Sequence, residues 1–219
     1  MKTMSISENI TKLTKQLSED VTLVAVSKTK PVSDLMEAYK AGQRIFGENK
    51  IQEMASKWEE MPKDVQWHMI GHVQTNKVKY MAPFVSLIHA VDSFKLLKEI
   101  NKQAKKNDRV IDCLLQIKIA EEDSKFGMDA ADAGVLLASE ELKSLQNIKI
   151  KGLMGMATFT ENEKQLRSEF QKLKKCFNNL MNTYELSIIS LGMSSDYIIA
   201  ISEGSTMIRV GSAIFGERV

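Results

Sequence analysis

This sequence has little of what most readily marks a function. Of its 219 residues only two are cysteine, Cys113 and Cys176, far apart and without a C-x-x-C or any metal spacing. That excludes a disulfide framework and a zinc module, and both read as small buried hydrophobes. There are three prolines, no internal repeat, no low-complexity tract and no Pro/Gly/Ser-rich stretch, so nothing marks a linker. No apolar run approaches the ~20 residues of a membrane-spanning helix, and Met1-Lys2-Thr3-Met4-Ser5-Ile6 has no signal-peptide core. Basic and acidic residues number 30 and 28, a net charge of +2 spread without blocks, which leaves no stripe for nucleic acid or an anionic membrane. Lys105-Lys106 and Lys174-Lys175 fall inside helical patterns and read as solvated faces. The G-x-S-x-G elbow and the P-loop are absent as well. A cytoplasmic protein with neither nucleic-acid nor membrane partners is expected.

What is present is alternation. At 43% hydrophobic the chain can bury one substantial core, and a single domain spanning 1–219 is expected. After a helical segment at about 7–18, short β-branched runs alternate with longer amphipathic ones, the pattern of βα units and a parallel sheet. The strand candidates are Thr22 to Val26, Arg44 to Phe46, Gln66 to Ile70, Leu87 to Ala90, Ile111 to Ile117, Lys149 to Met154, Ser187 to Leu191 and Met207 to Val210. Helical patterns fill the gaps: Ser33 to Ala41, Lys50 to Glu60, Asn76 to Met81, Phe94 to Lys106, Ala130 to Glu140, Glu163 to Tyr184 and Tyr197 to Ser202. Asp92 or Ser93 can cap the fourth of these, and Thr160 with Glu163 has capping-box spacing before the longest. The count predicts an α/β fold, a single (β/α)8 TIM barrel. The alternative is an open doubly wound sheet, against which the missing G-x-G-x-x-G fingerprint counts.

In such a barrel the strand exits converge on one mouth, so polar residues just past each apolar run are the place to look for chemistry. The run Val21-Thr22-Leu23-Val24-Ala25-Val26 is followed by Lys28, Lys30 and Pro31. A partly buried amine with a second cation two residues on has its ammonium form disfavoured, which suits a nucleophile that forms an imine with an aldehyde. Lys30 falls on the same side if the strand continues that far. A solvated loop lysine is the plain alternative. At the seventh and eighth exits stand Gly192-Met193-Ser194-Ser195-Asp196 and Arg209-Val210-Gly211-Ser212. Small residues and hydroxyls there expose backbone N–H groups, so Ser194, Ser195, Gly211 and Ser212 form a candidate phosphate cradle, unless they are only turn residues and caps. Arg209, within an apolar run, needs an acidic partner or a polar ligand. His68 and His89 read as hydrogen-bonded structural residues, and His72 as the histidine able to reach the mouth. No histidine has metal-site spacing.

Together Ala25-Val26-Ser27-Lys28-Thr29-Lys30-Pro31, Phe46-Gly47-Glu48-Asn49, Trp67 through Lys77, Gly152-Leu153-Met154, Leu191-Gly192-Met193-Ser194 and Gly204 through Gly211 resemble the pyridoxal phosphate homeostasis protein family (YggS/PROSC). The resemblance runs from about Val21 to the C-terminus in the same order. It implies a barrel like the N-terminal domain of alanine racemase that holds pyridoxal 5'-phosphate (PLP) as a Schiff base on Lys28. By the same resemblance Arg209 approaches the pyridine nitrogen, Ser194, Gly211 and Ser212 hold the phosphate, and Asn49 lies near the ring. An arginine there keeps the nitrogen unprotonated and weakens the ring as an electron sink. Alanine racemase also requires a second, β-rich domain with a catalytic tyrosine, for which the sequence after the eighth strand candidate leaves no room. The expected function is therefore PLP binding and homeostasis by a monomer, without established turnover. PLP-dependent apo-enzymes are possible recipients; the alternatives are an amino-acid racemase and, more remotely, a Schiff-base aldolase.

Overall fold

The structure, a computed structural model, describes residues 5–121 and 126–217. Eight strands form a closed, all-parallel barrel in sequence order, with β1 pairing to β8. The strands are β1 (Thr22–Val26), β2 (Ile45–Glu48), β3 (Gln66–Met69), β4 (Val85–Val91), β5 (Ile111–Gln116), β6 (Ile148–Met154), β7 (Ile188–Ser190) and β8 (Met207–Val210). Outside them run α1 (Ile6–Gln16), α2 (Val32–Lys40), α3 (Ile51–Glu60), α4 (Val78–Met81), α5 (Phe94–Lys106), α6 (Ala130–Ala138), α7 (Glu140–Lys143), α8 (Glu163–Tyr184), α9 (Tyr197–Ser202) and α10 (Ser212–Phe215). A (β/α)8 barrel is therefore what the alternation of apolar runs encodes. Among the described residues no helix is long and apolar enough to cross a membrane.

Because side chains alternate across a strand, each β-strand feeds two cores. Val24, Leu87, Ala90, Leu114, Met154 and Met207 fill the lumen, while Leu23, Ala25, Phe46, Trp67, Cys113 and Ile208 face outward into the larger layer beneath the helices. At the end of β2 the lumen keeps its space because residue 47 is glycine. A Cβ there would lie 2.9 Å from Val24 Cγ1 and 3.2 Å from Ile70 Cδ1. The longest helix, α8, buries Leu166, Phe170, Leu173 and Phe177, spaced three or four apart, so one stripe faces the barrel.

Several boundaries depart from the sequence reading. The cap of α8 is Asn162, whose side chain accepts from Lys164 N and Gln165 N, while the Thr160 hydroxyl accepts from Asn162 N. Thr160 thus lies two residues before the cap, outside the capping box expected of it. Ser93 caps α5 as anticipated. The fifth helical pattern, Ala130 to Glu140, breaks at Ser139, whose side chain donates to Leu136 O at the end of α6 and caps α7. Single-turn α10 has no sequence period to reveal it.

Trp67 is fully buried and tilts against Phe46, with ring centroids 6.0 Å apart, but its indole N–H has no partner. Trp67→Ala should lower stability by about 3–5 kcal/mol. Trp67→Phe, which keeps a ring and removes the orphaned donor, should cost less than half of that, as read from urea unfolding midpoints.

Candidate functional site

A cavity of about 730 Å3 opens where the strands end, and Lys28, Asn49, Ser194, Ser195, Arg209, Gly211 and Ser212, all singled out from the sequence, line it. Lys30 lines it too, and Val26, Ile70 and Met156 supply apolar wall. The carboxyl ends of β1, β2, β7 and β8 therefore deliver two amines, one guanidinium, one amide and several hydroxyl and backbone donors to one space.

Lys28 reaches this space by a turn. Strand β1 ends at Val26, so the lysines do not extend its alternation; instead Lys30 N donates to Ser27 O at 3.0 Å across a tight turn. Thr29, inside that turn, has φ 66°, a left-handed value unfavourable for a β-branched residue. Such strain costs on the order of 1–3 kcal/mol and persists where the surroundings over-determine it. Lys30 lines the same cavity as Lys28 and is anchored from its far side. Its Nζ donates to the carbonyl oxygens of Phe215 at 2.9 Å and Glu217 at 3.4 Å, clamping the end of α10.

The β7 and β8 loops are bound to each other. Ser194 Oγ accepts from Gly211 N at 3.0 Å and from Ala213 N at 3.5 Å, so two backbone donors at the start of α10 converge on a hydroxyl. Gly211 admits no side chain without crowding β1: a Cβ would lie 3.2 Å from the Val26 carbonyl oxygen. Asp196 Oδ1 accepts from Met193 N, and Gly192, at φ 91°, accepts from Arg209 N at 2.9 Å. Asn49 is placed from the third strand's exit, since a Cβ on Gly71 would strike the Asn49 backbone, lying 2.8 Å from its Cα.

Beneath the cavity, a polar chain crosses the apolar lumen. Arg209 donates from NH1 to Ser190 Oγ at 2.6 Å and from NH2 to Gly155 O at 3.0 Å. Ser190 Oγ is 3.0 Å from His89 Nδ1, and His89 Nε2 is 3.0 Å from His68 Nδ1. Burial lowers the arginine to about 10, against the opposing charge of Asp196, so it stays cationic at neutral pH. Both histidines are structural, as their strand positions indicated. His72 stands away from the cavity lining: it pairs with Asp92 at 3.2 Å and stacks on Phe126. Ser190 was overlooked in the sequence, although a serine between Ile189 and Leu191 in an apolar strand is a visible signal. Among the described residues no cluster of histidine, cysteine and carboxylate could hold a metal ion, and both cysteines are buried and unpaired.

Residues 2–219 match the family of the alanine racemase N-terminal domain, the class of β/α barrel that this fold and site define. Among curated proteins the chain is 39% identical to a pyridoxal phosphate homeostasis protein of Aquifex aeolicus, over 90% of this chain and 86% of that protein. Among solved structures it superposes on PipY of Synechococcus elongatus with a TM-score of 0.91 at 36% identity, covering 97% of this chain and all of that one. PipY has also been solved with PLP bound. Alanine racemase from E. faecalis shares the fold, with a TM-score of 0.77 at 15% identity, and this chain covers 58% of it. The chain belongs to the pyridoxal phosphate homeostasis protein family.

Burial pushes His68 down to about 3 from an ordinary 6.5, and His89 well down, by burial first and then by His68 and Arg209. Both are neutral in the fold and take up protons on unfolding below pH 6.5. The His68 contribution to stability is complete above pH 6.5 and is lost as the pH falls toward about 3, at up to ~1.4 kcal/mol per pH unit, and His89 acts in the same direction. In urea unfolding between about pH 6 and pH 4, His68→Gln should flatten the acid limb by roughly one proton. An unchanged slope would mean that His68 charges within the folded barrel.

Proposed function

We propose that this protein binds PLP in the barrel mouth, carries it covalently on the Lys28 amine, and controls its availability in the cytoplasm without turning over a substrate. The single observation that carries the reading is the convergence, in one cavity, of a strand-exit lysine with a cradle of backbone donors and hydroxyls. Relatives named for PLP homeostasis at 34–39% identity, and the PLP-bound PipY structure, support it.

The residues present fit the group. When bound, PLP supplies an aldehyde that a lysine amine converts to a Schiff base with loss of water, and an anionic phosphate. Lys28 offers the amine. The Ser194 hydroxyl, which accepts from the Gly211 and Ala213 N–H groups and keeps its own proton to donate, offers the anion a donor together with the Ser212 hydroxyl. The glycine at 211 keeps that corner open beside Val26. Arg209 remains a cation and hence a donor, so a ring nitrogen facing it is held as an acceptor, unprotonated. Asn49 stands on the β2 side with an amide that can hydrogen-bond to the ring substituents. Lys30, by holding the far end of α10, steadies the cradle at the helix start.

An amino-acid racemase is the second reading, favoured by the shared alanine racemase fold. Against it, the portion of the racemase that this chain does not match has no counterpart in relatives such as the Vibrio alginolyticus homeostasis protein, which is matched over 98% of its length. We expect a monomer, with PLP-dependent apo-enzymes as recipients.

Protein mixed with PLP should turn yellow and retain the colour through gel filtration, whereas Lys28→Ala should lose it. Ser194→Ala should keep the colour but weaken binding by about 1–2 kcal/mol, roughly five- to thirtyfold. Incubation of the loaded protein with L-alanine should give no sustained D-alanine. Turnover at the ~1 s⁻¹ or more usual for enzymes would overturn the non-catalytic reading.

A further inference from the structure

On the outer side of the barrel, under α3, lies a buried charged cluster that the cavity itself does not use. Glu48 at the end of β2 alternates with the lumen-facing Gly47 and so points away from the mouth. It is fully buried, as is Ser27 of β1's exit, and Lys57 of α3 is 5% exposed. Ser27 Oγ donates to Glu48 Oε1 at 2.6 Å. Lys57 Nζ donates to Glu48 Oε1 at 2.7 Å, to Glu53 Oε1 at 2.7 Å and to the backbone carbonyl of Ser27 at 2.8 Å. Glu53 Oε1 then accepts from the backbone N–H of Thr29 at 2.5 Å.

Two carboxylates share one ammonium here, and Glu48 Oε2 has no partner at all. Burial accordingly pushes the Glu48 carboxyl up, against the lowering effect of Lys57 and Ser27. As a source of stability this is a poor arrangement, since apolar side chains of similar volume commonly do as well or better in such a place. What it does achieve is geometric. Every group it grips in the β1 exit belongs to the turn Ser27–Lys30, on both sides of Lys28, and Thr29 within that turn is held at φ 66°.

We infer that Glu48, Glu53 and Lys57 are positioning residues for Lys28: they latch the strained turn from outside the barrel and thereby aim the lysine amine into the cavity. This rests on the reading that Lys28 carries PLP. None of the three touches the cavity, so their effect must pass through the turn. Released from the latch, Thr29 relaxes to an ordinary backbone conformation and Lys28 swings with it. Ring and phosphate contacts, which belong to β2, β7 and β8, stay as they were.

The test compares the full chain with Glu53→Ala, Glu53→Gln and Lys57→Met. Glu53 is partly exposed, so its variants are expected to fold even where Lys57→Met, which strands Glu48, does not. Two ligands are used: PLP, and pyridoxamine 5'-phosphate, which has the ring and phosphate but no aldehyde. In Glu53→Ala, borohydride-trapped attachment of PLP at Lys28 should slow at least about tenfold. Affinity for pyridoxamine 5'-phosphate should stay within about twofold, and Glu53→Gln, which keeps an acceptor for Thr29, should recover most of the loss. In the cofactor-free protein the Thr29 amide should exchange at least about tenfold faster in Glu53→Ala than in wild type, with distant amides unaffected. Wild-type attachment rates and exchange in Glu53→Ala would overturn the inference, as would equal weakening of both ligands, which marks a general packing role. Should the wild-type chain itself fail to attach PLP at Lys28, the functional reading fails instead. The Thr29 exchange rates then decide whether the latch exists.

Discussion

Closure of the barrel between β1 and β8 is the constraint on which the rest of the structure depends. The register that sets Val24 beside Arg209 and Ala25 beside Val210 places the exit of the first strand next to that of the last. Lys28 and the Ser194–Gly211–Ser212 cradle become neighbours only through this pairing. The bond from Lys30 Nζ to the Phe215 carbonyl, spanning 185 residues of sequence, reports the same closure. An open sheet built from these strands would hold the amine and the anion donors at opposite edges, and no shared cavity would form.

Within the closed barrel, the division between lumen and outer layer also divides the chemistry. The lumen carries a line of polar groups, Arg209, Ser190, His89 and His68, each hydrogen-bonded to the next. Because burial holds the histidines neutral, that line delivers a cation to the floor of the cavity without adding charge below it. A buried guanidinium bonded to a hydroxyl and a carbonyl is tolerable, and it leaves hydrogen-bonding capacity on the side that faces the mouth. Outside the lumen, Glu48, Glu53 and Lys57 keep their charges away from the ligand space yet act on the turn that bears Lys28. The left-handed Thr29 thus sits in a turn held by groups that do not line the cavity.

Much of this was legible in the sequence. Eight apolar runs rich in β-branched residues gave the strands, and small polar residues just beyond them marked the mouth, so Lys28, Asn49, Ser194, Arg209, Gly211 and Ser212 could be named from position and from family resemblance. What escaped depends on tertiary geometry. The end of β1 at Val26 was readable from the sequence, but residue spacing could not show that a turn delivers Lys28, because a left-handed threonine has no sequence signature. Glu48 read as one letter of a motif, since nothing local says that a carboxylate will be buried against Lys57, nine residues later and one helix away. Lys30 does line the cavity, but nothing local shows that its hydrogen bonds go to carbonyl groups near the other end of the chain. Helix α10 is a single turn, too short for any period to emerge.

We propose that one lysine, delivered by the β1 exit, holds the cofactor. The most direct measurement is peptide mapping by mass spectrometry after PLP-loaded protein is reduced with borohydride. A single pyridoxyl-phosphate modification is expected, on the peptide containing Ser27 to Lys30 and fragmenting to Lys28. Label on Lys30 alone, or spread over surface lysines in proportion to their exposure, would contradict it.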